Sequence, residues 1–421
     1  MRPAAIVIGL DSVTGLQTAR LLARRGISVW GIADNLSHFA ARTRVCRKIL
    51  QADTANDALI VLLEEIADRF AVKPVLYPCS DHSVLQISRS RARLEASYHF
   101  ALPSHDVITL LMSKAAFAHH ARQHGFRVPV TIDLHQHSDL EGAIARLRFP
   151  CVLKPALKDA RWLSHSGRKA FKIASPDELI ATFAQYSSVC DHFIVQEWIE
   201  GPESDQFTCN CYFDQQGRPV VTYVSRKIRQ WPPGTGVGCL AVECRDDRVR
   251  DETVRLFQSV PYSGLAYAEM KLDRSTGDLV LIEPNVGRPT GRSAMAEASG
   301  VELLYSMYCD LTGSPLPDSR STRGRPVKWI YLRRDLQAGL RHMYRRELSP
   351  LEWVRSLRGP KIDAVWSLSD PMPFVIDWLR HFRIGGASAP RGRDHRAPAR
   401  TSRVKRKIQR GRDEPGPTVA A

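Results

Sequence analysis

The clearest chemistry in the sequence sits in two strand-like runs, AYAEMKLD (266–273) and DLVLIEPN (278–285). Arg274–Asp278 joins them as a five-residue turn, and pairing Asp273 with Leu279 sets Glu269 directly opposite Glu283. Side chains alternate along a strand, so Glu269, Glu283 and Asn285 share a face with Lys271, Asp273, Leu279 and Leu281. The other face collects Ala268, Met270, Leu272, Val280 and Ile282, an apolar set. Like charges opposed across strands destabilise a sheet unless something compensates them. Two readings fit. A divalent cation, Mg²⁺ or Mn²⁺, takes the three oxygen ligands, or the face is solvated and Lys271 neutralises one carboxylate.

Basic residues bear on that choice. Lys154 ends the apolar run FPCVLKPA (149–156), where an unpaired ammonium is costly. Lys227 and Arg229 share one face of PVVTYVSRKIRQW (219–231), and Lys114 lies in the helical run MSKAAFAHH. Each alone reads as the solvated end of an element. Together with an oxygen trio, several cations point to a nucleoside-triphosphate site. The 14 histidines form no convincing constellation. The nine cysteines are odd in number and never spaced CxxC, the nearest pair being Cys209 and Cys211. They read as reduced thiols of a cytosolic protein rather than as a zinc site.

Elements must hold these residues in place, and 421 residues suffice for about three structural units. The first hundred residues alternate strands (AAIVIGL, ISVWGIAD, KPVLYP) with amphipathic helices (GLQTARLLARRG, DALIVLLEEIADRF). That order predicts a parallel, Rossmann-like sheet with Gly9–Gly15, Asp34 and Cys79–Ser83 on its ligand-binding rim. The first turn reads Gly9-Leu-Asp-Ser-Val-Thr-Gly15, with Asp11 where a dinucleotide fingerprint needs its middle glycine. Asp34 reads better as a turn or cap residue than as a ribose-binding acid. From residue 106 a helix (106–125) leads into mixed, mostly antiparallel strands, an α+β pattern. Residues 327–383 read as helical, with a capping box at Ser349-Pro350-Leu351-Glu352. From Gly385 onward the chain is rich in Gly, Pro and Arg and reads as disordered.

No stretch approaches the roughly 20 apolar residues of a membrane span, and the N-terminus carries no secretory pattern. The formal net charge is +16, of which residues 384–421 supply +7. The remainder is only moderately basic, which suits a small anionic substrate and gives nucleic acid no specific support. In the helical run DLQAGLRHMYRREL, Leu336, Leu340 and Met343 form a stripe beside Arg333, Arg334, Arg341, Arg345 and Arg346. The stripe either packs on the core or, with the basic tail, meets an anionic membrane.

In order and spacing these features resemble the ATP-grasp superfamily, most closely its carboxylate–amine ligase branch of D-aspartate ligase-like enzymes, with a biotin carboxylase-like ATP-binding fold. The resemblance spans roughly residues 1–315. It implies a Rossmann-like pre-ATP-grasp domain (1–105), a two-lobed ATP-grasp domain with ATP in its cleft (106–320), a helical extension (321–383) and a basic tail (384–421). It also implies that Lys114 and Lys154 contact ATP phosphates. Adenine would meet the backbone of Glu197 and Ile199 beside Trp198, and the ribose would meet Glu203, or Asp205 as a substitute. Lys227 and Arg229 would stand near the γ-phosphate or acyl group, and Glu269, Glu283 and Asn285 would hold magnesium.

Two departures stand out. Gly287 occupies the place of the family's arginine, so Arg288 and Arg292 are both candidates for the acyl-phosphate contact. The phosphate-covering loop is basic rather than glycine-rich, so Lys158, Arg168, Lys169 or Lys172 would act electrostatically. Gly234, Gly236 and Gly238 form either a flexible substrate loop or a hairpin connection.

The implied activity joins a small carboxylate to an amine through an acyl-phosphate, releasing ADP and phosphate. At least one substrate is expected to be acidic, selected by Ser80 and Asp81 with Lys227, Arg229, Arg288 and Arg292. The expected location is cytoplasmic, with a peripheral contact at the inner membrane face, and oligomerisation stays open. The alternatives are an ATP-binding regulator without turnover and, on the N-terminal domain, an NAD(P)-dependent oxidoreductase.

Overall fold

The computed structural model describes residues 2–156, 162, 165, 166, 170–234, 236–318, 320 and 326–385. Lys158, Arg168, Lys169 and the basic tail beyond Gly385 lie outside the described residues. No helix among those described is long and apolar enough to cross a membrane.

Strands β1 (Ala5–Ile8), β2 (Val29–Ala33), β3 (Cys46–Gln51) and β4 (Val75–Pro78) form an all-parallel sheet in the order β3-β2-β1-β4. Every residue of β1 is buried, as expected of a central strand covered on both faces. β3 escapes the sequence pattern because it is an edge strand, with Arg47 and Lys48 exposed. Charged edges discourage further pairing. The helix Val13–Arg24 follows β1, and its N-cap Ser12 accepts from the Gly15 N–H at 2.9 Å. On the rim, Asp11 accepts from the Asn35 N–H and Asp34 from the Thr54 N–H. Both carboxylates thus serve the turn backbone.

The expected helix 106–125 is broken at Ser113 into His105–Met112 and Lys114–Gln123. Ser113 takes an extended ψ of 117° and caps the second helix, accepting from the Ala116 N–H. Beyond it, β5 (Thr131–Leu134), β6 (Cys151–Pro155), β7 (Phe171–Ile173) and β8 (Phe193–Glu197) make a small antiparallel sheet ordered β5-β8-β6-β7. Leu153, Trp162, Phe183 and Phe193 are buried in its core.

The large sheet comprises β9 (Gln206–Phe213), β10 (Pro219–Trp231), β11 (Val237–Glu243), β12 (Gly264–Leu272), β13 (Leu279–Val286), β14 (Lys328–Ile330) and β15 (Lys361–Asp363). Its order is β13-β12-β9-β10-β11-β14-β15. Alternation along β9 sends Tyr212 into the core shared with β1 and its helix, while Cys209, Cys211 and Phe213 enter the core shared with helix Asp247–Gln258. All nine cysteines are free.

Residues 326–378 are not purely helical as expected. β14 pairs antiparallel with β11 and β15 pairs parallel with β14, so the extension finishes the large sheet. Two buried ion pairs fasten it, Arg20–Asp370 at 2.9 Å and Arg229–Asp335 at 2.8 Å, and Arg333–Asp377 at 2.9 Å ties two of its own helices together. The expected Leu336–Leu340–Met343 stripe is not the buried face of helix Leu332–Tyr344. Leu340 is 58% exposed, and Asp335, Ala338 and Gly339 are buried instead. A Cβ on Gly339 would sit 2.7 Å from the Trp353 indole, and that indole N–H donates to Asp335. Small residues and one paired acid, not leucines, make this contact.

Candidate active site

One cavity of about 540 Å³ collects residues from the small sheet, the large sheet, the first helix and the extension. That volume is ordinary for a small-molecule site. Its lining includes Lys114, Lys154, Glu197, Trp198, Ile199, Lys227, Glu269, Glu283, Arg288 and Arg292 from the expected set.

On the small-sheet side, the Lys154 ammonium donates to Gln196 Oε1 at 2.7 Å, and Gln196 is held in turn by Thr131. The Glu197 N–H is spent on the Val130 carbonyl and the Trp198 N–H on the Pro150 carbonyl. The Ile199 N–H has no acceptor among the described residues. It is available to a planar heterocycle with an acceptor nitrogen. Lys172 and Lys271 stand over the Trp198 ring at 4.8 and 5.5 Å. Lys172 also pairs with Glu200, and Lys271 donates to the Gly201 carbonyl. Lys271 therefore neutralises neither hairpin carboxylate, and burial lowers its pKa.

On the large-sheet side, Glu269 and Glu283 are direct partners across β12 and β13, and Tyr267 faces Asn285. The route to that register differs from simple alternation. Leu272, not Asp273, pairs with Leu279, and the extra residue Ile282 bulges before Glu283. Leu281 consequently joins Ala268 and Met270 in the core, while Ile282 lines the cavity beside Glu283. Both residues change faces from the expected arrangement.

Glu269 is approached by Lys227 at 3.6 Å and by Arg292 at 3.9 Å, and Lys227 also donates to Gln206 at 2.6 Å. Burial raises the Glu269 pKa, but Lys227, Arg292 and Arg288 outweigh it and hold the carboxyl below its usual range. Gly238 lets the two cations converge, since a Cβ there would meet Arg292 at 3.0 Å and Lys227 at 3.5 Å. The Glu283 side chain has no hydrogen bond or ion pair with any described residue. Asn285 accepts from Arg288, and its buried Nδ2 is unpartnered. An unpaired carboxylate facing a charge-balanced one, beside an amide oxygen with a spare lone pair, fits a hard divalent cation.

Several expected residues are committed to partners within the protein, inside or outside the lining. Arg229 is not in the lining, because helix Leu332–Tyr344 covers it and Asp335 and Ser356 take its guanidinium. Glu203 accepts from the backbone of Gln230 and Gly234, bracing the β10–β11 connection. Asp205 is bound by Arg274. Gly234 and Gly236 belong to that hairpin connection. Arg288 bridges Asp81, Tyr267 and Asn285, tying the N-terminal rim to β12 and β13. Ser80 caps the helix Asp81–Arg89.

Sequence reasoning missed Gln196, Gln206, Thr208 and Tyr267, which orient the cations, and Thr14, Thr290, Trp329, Tyr331 and Arg334, which line the far end. A polar residue interrupting an apolar strand, such as Gln196 after Phe-Ile-Val, was the available signal. A larger, more open depression of about 780 Å³ lies along helix Asp247–Gln258. Its Arg250 and Arg255 are paired with carboxylates of their own helix, and the opposed carboxylates are absent from it.

No protein-family model matches the sequence, and neither does any curated protein. Solved structures do. N5-carboxyaminoimidazole synthetase from Staphylococcus aureus, complexed with ADP, aligns with a TM-score of 0.63 at 15% identity over 82% of this chain and 87% of that one. L-amino acid ligase from Bacillus licheniformis gives 0.58 at 15% identity, covering 77% and 79%. A biotin carboxylase from Campylobacter jejuni, in a β,γ-ATP complex, gives 0.59 at 15%, covering 76% and 73%. The fold is the ATP-grasp fold.

Proposed function

We propose that this chain is an ATP-dependent carboxylate–amine ligase. One observation carries the reading: the opposed pair Glu269 and Glu283 shares a cavity with Lys154, Lys227 and the Glu197–Ile199 strip. The similar solved structures include an ADP complex and a β,γ-ATP complex, which supports placing a nucleotide in this cleft.

Adenine lies against Ile199 and Trp198, with the free Ile199 N–H as donor. Lys114, Lys154 and Lys227 neutralise phosphate oxygens. Glu269, Glu283 and Asn285 hold Mg²⁺, which when bound offsets the charge of the β- and γ-phosphates. A substrate carboxylate oxygen attacks the γ-phosphorus, the bond to the ADP oxygen breaks, and an acyl-phosphate and ADP result. The amine nitrogen then attacks the acyl carbon, phosphate leaves with the C–O bond pair, and the nitrogen loses a proton to give the amide. Lys227 and Arg292, held beside Glu269, stand where negative charge would build during phosphoryl transfer. The protein's contribution is positioning and charge neutralisation.

The test is ADP release with MgATP against a panel of carboxylates, with and without amines. Calorimetric ATP affinity is measured in parallel. Acid-dependent ADP release that needs Mg²⁺ supports the ligase. Tight ATP binding with no ADP release under any acid would make the chain a nucleotide-binding regulator instead.

A further inference from the structure

The far end of the cavity differs in character from the nucleotide end. It is lined by Val13, Thr14, Thr290, Gly291, Trp329, Tyr331 and Arg334. Among the cavity's arginines, Arg288 has three hydrogen-bond partners, and Arg292 reaches Thr208 and Glu269. Arg334 pairs with no acid and makes no hydrogen bond with any described residue. Its partner is the Tyr331 ring, 4.8 Å from the guanidinium carbon. That ring is itself fixed, because the Tyr331 hydroxyl donates to Asp377, which Arg333 also binds. The platform is rigid while the cation on it is unspent.

The helix Val13–Arg24 also starts here, with Ser12 capping Gly15 and no acceptor seen for the Val13 and Thr14 N–H groups. Gly291 lies beside that helix end, where a Cβ would be in ordinary contact with Thr14 and Val13. A helix N-terminus and an unpaired guanidinium facing one cavity favour an anion. None of the carboxylates in the lining comes from these far-end segments.

We infer that the acid bound by this cleft is a dianion, whose second anionic group is read at the far end by Arg334 of the C-terminal extension and by the start of the first helix. Its other carboxylate faces the γ-phosphate beside Glu269 and Arg292. The inference rests on the ligase reading for which end reacts, but the anion-binding end is testable by itself. Carboxylate and phosphate monoester share the required chemistry.

The experiment uses the full chain with Mg²⁺ and a non-hydrolysable ATP analogue. Calorimetry compares succinate with butyrate and O-phosphoserine with serine, which separates the two anion types. At least one dianion should bind tenfold or more tighter than its monoanionic match. Arg334→Gln should erase that preference while leaving affinity for the ATP analogue unchanged, and Arg334→Lys should keep part of it. Arg334 is only half-buried and pairs with no acid, so both variants should fold. Equal affinities within both pairs, no measurable binding of any of the four, or a preference that survives Arg334→Gln overturns the inference. Failure of the ligase reading shows separately, as absent ADP release while the Arg334-dependent preference persists.

Discussion

Strands β10 and β13 each carry a one-residue bulge, at Ile228 and Ile282, with opposite consequences for the cavity. In β13 the bulge keeps Glu283 opposite Glu269 although the hairpin begins one residue away from the expected pairing. In β10 the bulge falls between Lys227 and Arg229, and only Lys227 lines the cavity. Arg229 passes under helix Leu332–Tyr344 and pairs with Asp335. Alternation is thus a sound guide to side-chain direction only between interruptions. What lies over a strand then decides whether a cation serves a ligand or a neighbour.

The largest expected effect breaks the β10 side of this contrast. Arg229→Ala leaves the buried Asp335 carboxylate without its cation, with only the Trp353 indole N–H still donating to it, which should cost about 3–5 kcal/mol of stability. Chemical denaturation measures the loss, and joint replacement of Arg229 and Asp335 by leucine should recover much of it. ATP affinity of the folded Arg229→Ala protein should be unchanged. A large fall in that affinity would return Arg229 to the cavity and undo the comparison.

On the β13 side, Glu283→Gln should lower Mg²⁺-dependent ADP release at least about a hundredfold, or roughly 2.7 kcal/mol. Stability without nucleotide should hardly change, because the Glu283 side chain has no partner among the described residues. Normal turnover by this variant would remove the metal assignment. Lys154→Ala, at the opposite wall, should weaken ATP binding about ten- to a hundredfold. Lys73→Ala, outside the cavity, should not, and equal affinities for these two variants would deny Lys154 its phosphate contact.

The smallest effect concerns pH. Glu269 has a folded pKa below its unfolded value, so its share of stability is present above the unfolded pKa and lost as pH falls through the folded one. Lys227→Met removes the largest opposing influence to burial. The folded pKa should then rise toward the unfolded one, so the part of the acid-induced fall in melting temperature that Glu269 contributes should be smaller than in the wild type. Identical acid limbs for the two proteins would show that Lys227 does not set the charge of Glu269.

The parallel sheet and the opposed carboxylates were legible because apolar periodicity and local pairing determine them, whereas the 197–199 strip was read only from the resemblance to a family. The long helix 106–125 was misread as one element because a single serine with a competing side-chain acceptor can end it. β3 was missed because edge strands need no apolar face. The fates of Arg229, Glu203 and Asp205 were not legible, since each depends on a partner the local pattern does not reveal. Asp335 lies about a hundred residues beyond Arg229, in a segment whose two short strands are too brief to show a period.

The pairing of Arg20 with Asp370 spans 350 residues, and Gln17 reaches the Ala364 carbonyl from the same first helix. During synthesis, therefore, the N-terminal sheet emerges long before the strands that close the large sheet and the acid that satisfies Arg20. Until residue 370 is available, a buried guanidinium lacks its partner and the large sheet lacks β14 and β15. A chain stopped at residue 320 would leave the edge of β11 bare and Arg334 missing from the cleft. Bare strand edges invite association with other chains. The finishing strands thus make the completed cleft a late event on the ribosome, and they make premature termination a route to aggregation rather than to a smaller folded protein.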